Sequence, residues 1–352
     1  MEMDQPGIMV PELYRLKVKI TTDHTKIDHH KWDEFVKNHP RGNVFQTPEM
    51  FNIYRKCPNL EPFVIMALDC DDNPLGLLVA LIQFQYKGMM RKITSRAIIW
   101  GGPLIDDSHD EVLGPMLETY EKSISKRALY TEVRNLWETI DYHDFFILYK
   151  YKFSEHLNIH IDLSISEEQL WKNLNSKRRN EIRKAYKNNV NFKLGNSVNE
   201  LKESYNILKE VYQRAKRPLP EFSFFSLMYE RLNGNSKLLN FLAIKDDRII
   251  GCMIAISYKD IIYDYYAGAY KLHYRDHPND LIPWEVFRWG KNNQYRLFDF
   301  GGAGKPDEAY GVRDYKKKYG GDFVNYGRYY KIHRPALYKM AKVGFTFWQR
   351  LR

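Results

Sequence analysis

Hydrophobic residues in the first half of the chain occur in short runs bounded by turn residues, a pattern typical of strands. The turn residues Asp71, Asp72 and Asn73 separate two such runs and predict an antiparallel meander. The predicted elements are strands at 16–20, 63–68, 75–84, 92–100 and 129–134, and helices at 32–36, 49–54 and 111–125. Strands and helices in this order predict an α/β fold with a mixed sheet.

The second half repeats this order of elements. Ser166 is a suitable N-cap for a long helix, and acidic turns at 246–247 and 259–260 divide a second meander. The predicted elements are strands at 158–163, 191–194, 241–244, 249–257, 261–266 and 297–300, and helices at 166–186, 203–215 and 283–292. Both halves therefore predict the same kind of α/β unit.

Two pairs of segments share one offset along the chain. Residues 98–102 match the pattern at 265–269, and residues 130–134 match 297–301, in each case after 167 positions. Such a repeat indicates an internal duplication, although two ordinary α/β patterns can also agree by chance. We expect two tandem domains, at 1–155 and 156–334, followed by a helix at 335–352.

Several segments, taken in order, resemble Fem-type peptidoglycan interpeptide-bridge aminoacyltransferases, which belong to the GNAT superfamily. The segments are FQTPE at 45–49, GGPLID at 101–106, WKNLNSKRRNEIRKA at 171–185, NDLIPWE at 279–285, FDFGG at 298–302, YGV at 310–312, YK at 315–316 and YGG at 319–321. The resemblance implies two tandem GNAT-like domains beside a cleft. It also implies transfer of an acyl or aminoacyl group to an amine of a cell-wall or cell-surface precursor.

Two residues of these segments are candidates for catalysis. Lys316, in the pair that resembles the family's Phe-Lys element, would stabilise the oxyanion that develops during acyl transfer. Asp106 follows a rigid Gly-Pro turn and would bind the acceptor ammonium or remove its proton. The alternatives are a solvated lysine run at 316–318 and an ordinary turn aspartate.

Positive charge is concentrated in two parts of the chain. The net charge is +10, while residues 172–193 carry +7 and residues 311–352 carry +9. Such clusters favour an anionic, phosphate-bearing partner, although single basic runs are commonly solvated helix faces. Arg178 and Arg183, in the first cluster, are candidate phosphate ligands, and Arg214 and Arg217, at the end of the next helix, resemble the family's second phosphate-facing position. The candidate cleft-lining residues are Tyr265, Tyr266 and Tyr315.

The donor substrate stays open between aminoacyl-tRNA and acyl-CoA. The chain lacks a good copy of the glycine-rich turn that cradles pyrophosphate in acyl-CoA enzymes, and the long helical arm of some tRNA-using relatives is also missing. Among the 11 histidines no metal-ligand spacing occurs, so we expect no bound cofactor and no metal. The alternatives are an acyl-CoA-dependent N-acyltransferase for an amino sugar or other small amine, and a basic nucleic-acid-binding protein, for which no groove-reading motif is present.

The cysteine pattern and the chain ends bear on location. Three scattered cysteines suggest a reducing compartment, and the N-terminus lacks the features of a signal peptide, so we expect a cytoplasmic protein. After Pro335, apolar residues recur at helical spacing beside lysines and arginines. This helix either packs against the protein or binds peripherally at the inner membrane face.

Overall fold

The computed structural model of the protein describes residues 18–84 and 95–340. The predicted strand starts at 16–17 and 92–94, and the predicted amphipathic helix from residue 341 onward, lie outside the described residues. Residues 335–340 are helical, which agrees with the predicted helix start at Pro335.

The described elements follow the predicted order, with some additional short ones. The strands are β1 (Lys19–Thr21), β2 (Leu60–Leu68), β3 (Pro74–Gln83), β4 (Arg96–Trp100), β5 (Leu104–Ile105), β6 (Tyr130–Arg134), β7 (Lys152–Ser154), β8 (Asn158–Asp162), β9 (Asn191–Gly195), β10 (Ser236–Lys245), β11 (Arg248–Tyr258), β12 (Ile261–Ala269), β13 (Leu297–Gly302), β14 (Asp322–Val324) and β15 (Arg328–Ile332). The α-helices are α1 (His29–Asn38), α2 (Pro48–Lys56), α3 (Leu113–Ile124), α4 (His143–Leu148), α5 (Glu167–Asn173), α6 (Ser176–Lys187), α7 (Val198–Arg214), α8 (Phe222–Arg231), α9 (Pro278–Asn292) and α10 (Gly311–Lys317).

Two sheets share one arrangement of strands. The first sheet has the order β1-β2-β3-β4-β6-β15-β7, with β5 paired to β3, and the second has the order β9-β10-β11-β12-β13-β8-β14. In each sheet all neighbours are antiparallel except the fourth and fifth strands, which are parallel. The two halves therefore have the same topology, as the 167-residue offset predicts.

The two domains exchange strands at the far ends of these sheets. The chain crosses from β7 to β8 through residues 155–157 and returns from β14 to β15 through residues 325–327. Consequently β15, which the predicted boundaries assign to the domain at 156–334, pairs with β6 and β7 of the first sheet. The observed units differ from the predicted boundaries here because these strands pair with residues about two hundred positions away, which no local pattern reveals.

The sheets and helices form a layered core with one layer shared by both halves. One apolar cluster lies between the sheets and joins α2 of the first half with α7 and α8 of the second. The other two clusters cover the outer faces, one beneath α3 and one beneath α9. The domains therefore meet through a continuous hydrophobic layer and not through a flexible linker alone.

Gln46 ties the N-terminal segment to the first sheet. Its buried side chain accepts a hydrogen bond from Val79 N at 2.9 Å and donates one to Trp100 O at 2.7 Å. The next residue, Thr47, caps α2 by accepting from Met50 N. The segment at 45–49 thus fixes α2 against β3 and β4, beside the layer between the sheets.

Candidate active site

The parallel strands β12 and β13 separate after three paired residues. Tyr263 is the last residue of β12 that pairs with β13, opposite Asp299. The equivalent strands of the first sheet, β4 and β6, stay paired over all five residues of each strand. Beyond Asp299, β13 shifts its register against β8, on its other side, and Gly301 adopts a positive φ of 69°, as the strand bends away from β12. An open edge of β12, starting at Asp264, results only in the second half.

Lys316 lies where these two strands part. Its buried ammonium, on α10, donates hydrogen bonds to Phe300 O and, at 3.2 Å, to Gly302 O, both on the diverging part of β13. Burial lowers the pKa of Lys316, while the carboxylates of Asp264 and Asp299 oppose this effect. The interpretation of Lys316 as part of a solvated lysine run is therefore wrong for this residue, although its neighbour Lys317 is exposed.

Asp264 is a site residue that the sequence did not predict. It is half-buried on β12, and burial raises its pKa to about 6, with Asp299 adding to the shift and Lys316 opposing it. A carboxyl group with a pKa in this range can accept a proton near neutral pH. The available signal was an acidic residue inside the aromatic strand segment 261–266, where aspartate is disfavoured.

Asp299 supports this site from the adjacent strand. It is buried, and its Oδ1 accepts a hydrogen bond from Gly301 N at 2.7 Å, which holds the turn that bends β13 away. His160 on β8 places its Nε2 3.6 Å from the same oxygen, and this nitrogen has no hydrogen-bond partner among the described residues. Asp299 therefore fixes the bend of β13, and the imidazole of His160 beside it has a ring nitrogen without a hydrogen-bond partner in the described part of the chain.

Tyr265 and Tyr266 follow Asp264 and face the layer between the sheets. Tyr265 has its ring 6.1 Å from Phe45 of the first half, and Tyr266 has its ring 5.5 Å from Tyr212 on α7. Both are half-buried, and burial raises the pKa of both hydroxyls well above the ordinary value. The structure thus places these two predicted residues on β12 directly after Asp264, against the apolar layer between the sheets.

Arg178 is a structural residue, contrary to the predicted role in phosphate binding. Its side chain is buried on α6 and forms ion pairs with Asp280 and, at 3.1 Å, with Glu181. Its guanidinium also lies 4.7 Å from the centre of the Tyr315 ring and 4.4 Å from that of Tyr319. Because two carboxylates already balance its charge, Arg178 fixes α10 to α6 and leaves no charge for a ligand.

Tyr315 belongs to this same structural cluster. Its hydroxyl donates to Asn279 O at 2.5 Å, and burial raises its pKa to about 12. The predicted role for Tyr315 in lining a cleft is therefore replaced by one in positioning: it anchors the helix that carries Lys316.

Asp106 does not join Lys316. Its Oδ1 accepts from Ser108 N at 3.0 Å and lies 3.2 Å from His109 Nδ1, which is an ordinary turn arrangement. The Ser108 amide holds the pKa of Asp106 below its usual value, which makes the group a weaker base. Within the described residues, no contact of Asp106 reaches Lys316 or Asp264, so the turn interpretation fits the structure and the catalytic one does not.

The other predicted arginines lie on the surface of the second half. Arg214 is paired with Glu210 at 2.9 Å and contacts the Tyr274 hydroxyl. Arg183 donates to Asn180 Oδ1 at 3.2 Å, and Arg217 is exposed just beyond the end of α7. These residues are accessible to a ligand, so their role in phosphate binding stays a prediction.

In residues 18–84 and 95–340, no helix is long and apolar enough to cross a lipid bilayer. The same part of the chain contains no group of three or more histidine, cysteine, aspartate or glutamate side chains arranged to hold a metal ion.

Comparison with known proteins identifies the fold and one domain. Residues 173–317 match the family model described as an acetyltransferase (GNAT) domain. The match begins at the end of α5 and ends just after Lys316, so it covers the diverging strands and the helix that carries the lysine. No curated protein sequence matches the chain significantly.

Several solved structures share the fold over nearly the whole chain. FemX superposes with a TM-score of 0.67 at 15% identity, covering 92% of this chain and 99% of FemX. L-PGS from Bacillus licheniformis gives 0.56 at 17% identity, covering 90% and 96%. A tandem GNAT protein from the clavulanic acid biosynthesis pathway gives 0.54 at 8% identity, covering 90% and 99%.

These comparisons confirm the predicted fold class, an α/β chain of two tandem GNAT-like domains, and the predicted likeness to Fem-type proteins. The match of residues 173–317 to the acetyltransferase (GNAT) domain model confirms the expected enzyme class, an acyltransferase.

Proposed function

We propose that this protein is a Fem-like N-acyl or aminoacyl transferase that modifies an amine of a cell-wall or cell-surface precursor. The observation that carries the proposal is the position of Lys316 beside Asp264 at the parting of β12 and β13. The likeness in fold to FemX and L-PGS supports acyl or aminoacyl transfer as the reaction.

Acyl transfer to an amine requires a hydrogen-bond donor for the developing oxyanion and a base for the amine proton, and the geometry offers a residue for each. An ammonium group has three N–H donors, and two of those of Lys316 are directed to Phe300 O and Gly302 O. The third has no hydrogen-bond partner among the described residues, so it can donate to the carbonyl oxygen of the donor substrate, where negative charge develops. Asp264, ionised above its pKa of about 6, accepts the proton that the amine must lose.

The reaction then proceeds by addition and elimination. The amine nitrogen attacks the carbonyl carbon, a C–N bond forms, and the carbonyl electrons move to the oxygen that faces Lys316. Asp264 takes the amine proton. When the intermediate collapses, the C–O bond of an aminoacyl ester or the C–S bond of an acyl thioester breaks, and the leaving group takes up a proton.

The donor and the location of the protein belong to the same proposal. The unpaired edge of β12 beyond Tyr263 suits an extended donor arm, which either acyl-CoA or the end of an aminoacyl-tRNA supplies. We place the enzyme in the cytoplasm, where both donors are made, with its basic C-terminal segment as the candidate for contact with the inner membrane face. A nucleic-acid-binding role alone leaves the buried Lys316 and the shifted pKa of Asp264 without a purpose.

Mass spectrometry of envelope precursors tests this function. Cells with the gene should contain a precursor heavier by one or more acyl or aminoacyl groups, and cells without it should accumulate the unmodified form. Restoring the gene should restore the heavier species. Identical precursor masses in the two strains would contradict the proposal.

A further inference from the structure

Two arginines face each other directly at the junction of the domains. Arg134 on β6 and Arg328 on β15 are opposite partners in the antiparallel ladder that joins the chain's last described strand to the first sheet. We call them the arginine pair. Like charges directly opposite one another destabilise a strand pair, so this arrangement requires negative charge nearby.

Glu132 supplies only part of that charge. Its carboxylate accepts hydrogen bonds from Arg134 at 3.0 Å and from Arg328 at 2.5 Å, so one carboxylate serves two guanidinium groups. The Nε of Arg134 is buried and has no hydrogen-bond partner in the described part of the chain. The cluster therefore keeps one uncompensated positive charge and one unsatisfied donor.

The position of the arginine pair connects it to the candidate active site. The Arg134 guanidinium lies 4.6 Å from the centre of the Trp100 ring, in the layer between the sheets. A Cβ on Gly302 would lie 3.3 Å from Arg328 Nη2 and 2.9 Å from His156 Nε2, so this glycine admits both side chains. Gly302 O is also an acceptor for Lys316. One residue thus separates the arginine pair from the catalytic lysine.

His156 completes the polar surface of this region. Burial lowers its pKa to about 4, and Arg328 and Arg134 shift it in the same direction. The imidazole is therefore neutral at physiological pH and can donate or accept a hydrogen bond without adding charge. Because His156 Nε2 and Arg328 Nη2 both lie next to Gly302, the two groups can bind the same ligand.

We propose that the arginine pair binds a phosphate group of the substrate and positions the substrate for reaction at Lys316. The proposal rests on the proposed transferase function and assigns its phosphate recognition to residues that the sequence did not reveal. Planar guanidinium groups bind phosphate oxygens through paired, charge-assisted hydrogen bonds. A bound phosphate also provides the negative charge that Glu132 alone does not.

Calorimetric titration of the full-length protein with inorganic pyrophosphate tests the site. Arg134→Gln and Arg328→Gln should each weaken binding about tenfold or more, because each removes charge-assisted hydrogen bonds. Arg96→Gln is the matched control: Arg96 is half-buried on β4 of the same sheet and is bonded to the neutral Gln83. Equal affinity in all four proteins, or no binding to the wild type at low salt, would overturn the proposal.

Thermal unfolding separates binding from a purely structural clamp. Each single substitution leaves Glu132 with one arginine, so the charges balance and the unliganded variants should unfold at or above the wild-type temperature. Pyrophosphate should raise the unfolding temperature of the wild type and of Arg96→Gln more than that of the two site variants. If either arginine variant is strongly destabilised or fails to fold, the pair is a structural clamp and the proposal is wrong.

Two further probes distinguish the sources of the phosphate. Titration with UDP and with dihexanoylphosphatidylglycerol compares a nucleoside diphosphate with a phospholipid headgroup. Binding of either one that depends on both arginines supports the site and names the source, and binding that is insensitive to both arginines contradicts it. These binding measurements do not require turnover. They can therefore contradict the phosphate site without contradicting the transferase function, and a failed transferase test leaves the binding result intact.

Discussion

Glu132 and Asp299 occupy the same position in the two sheets. Each is the third residue of the strand that runs parallel to its neighbour, and they are separated by the 167 positions of the repeat. Their strand neighbours, Val133 and Phe298, pack into the outer clusters, so both carboxylates point into the layer between the sheets. One now holds the arginine pair and the other lies beside Lys316, which suggests that a duplicated position acquired two roles.

Asp264→Asn should lower the transfer rate and remove the fall of this rate at acidic pH, which we call the acidic limb of the pH profile. Transfer by the wild type should fall as the pH drops through about 6, because Asp264 becomes protonated and no longer accepts the amine proton. The variant should be slower by about 10²–10⁴-fold and should lack this limb. The pH dependence of the transfer rate is the measurement, and an unchanged limb in the variant would exclude Asp264 as the base.

The same substitution should stabilise the fold above pH 6. Since the folded state raises the pKa of Asp264 from 3.8 to about 6, ionisation costs stability as the pH rises through this range. Asparagine avoids this cost, so we expect a gain of about 1–2 kcal/mol in unfolding free energy at pH 8 that shrinks toward pH 4. Urea unfolding at the two pH values provides the comparison, and a loss of stability at pH 8 would contradict the role of burial.

Glu132→Gln should destabilise the junction between the domains. The two arginines lower the pKa of Glu132 from 4.5 to about 2, so its charge stabilises the folded state above pH 4.5 and this contribution is lost as the pH falls toward 2. The shift corresponds to about 3 kcal/mol at neutral pH. Denaturant unfolding at pH 7 and pH 4 should show a smaller difference between variant and wild type at the lower pH. A constant difference would indicate that charge is not the cause.

Gly321→Ala should disturb the turn that follows α10. Gly321 has a φ of 84°, and a Cβ there would lie 2.4 Å from His160 O, a backbone atom. We expect a loss of about 2 kcal/mol or more in unfolding free energy. Gly311→Ala is the matched control, because its Cβ would meet no atom within 4 Å and it lies at the start of α10. Similar stability of the two variants would contradict the packing described for this turn.

The meanders were predictable because their information is local. Alternating hydrophobic residues and acidic turns specify β2–β3 and β10–β12. The strand exchange was not predictable, because the partners of β15 lie about two hundred residues earlier in the chain. A short strand of tyrosines and basic residues gives no sign of which sheet it will join.

Site residues could be predicted only where they lie in a recognisable local motif and their environment does not depend on distant parts of the chain. Its motif singled out Lys316, which is buried at the strand divergence. Arg178 and Arg183 lie on the same basic helix, but Arg178 is buried and Arg183 is exposed. The burial of Arg178 depends on Asp280, about one hundred residues away, so charge clustering along α6 could not distinguish the two. Asp264 was missed because its altered pKa arises from burial in the assembled sheet, beside a lysine that reaches it from α10.

The most direct test of the central claim compares Lys316→Met with Lys317→Met. The two lysines are neighbours on α10, but one is buried at the strand divergence and the other is exposed. Purified proteins would be incubated with precursors extracted from cells that lack the gene, together with acetyl-CoA or a mixture of aminoacyl-tRNAs, and the products weighed by mass spectrometry. The wild type and Lys317→Met should transfer one group at similar rates, whereas Lys316→Met should be slower by about 10²–10³-fold, as expected for loss of an oxyanion donor. Equal rates for the two variants would show that the reaction does not occur at Lys316.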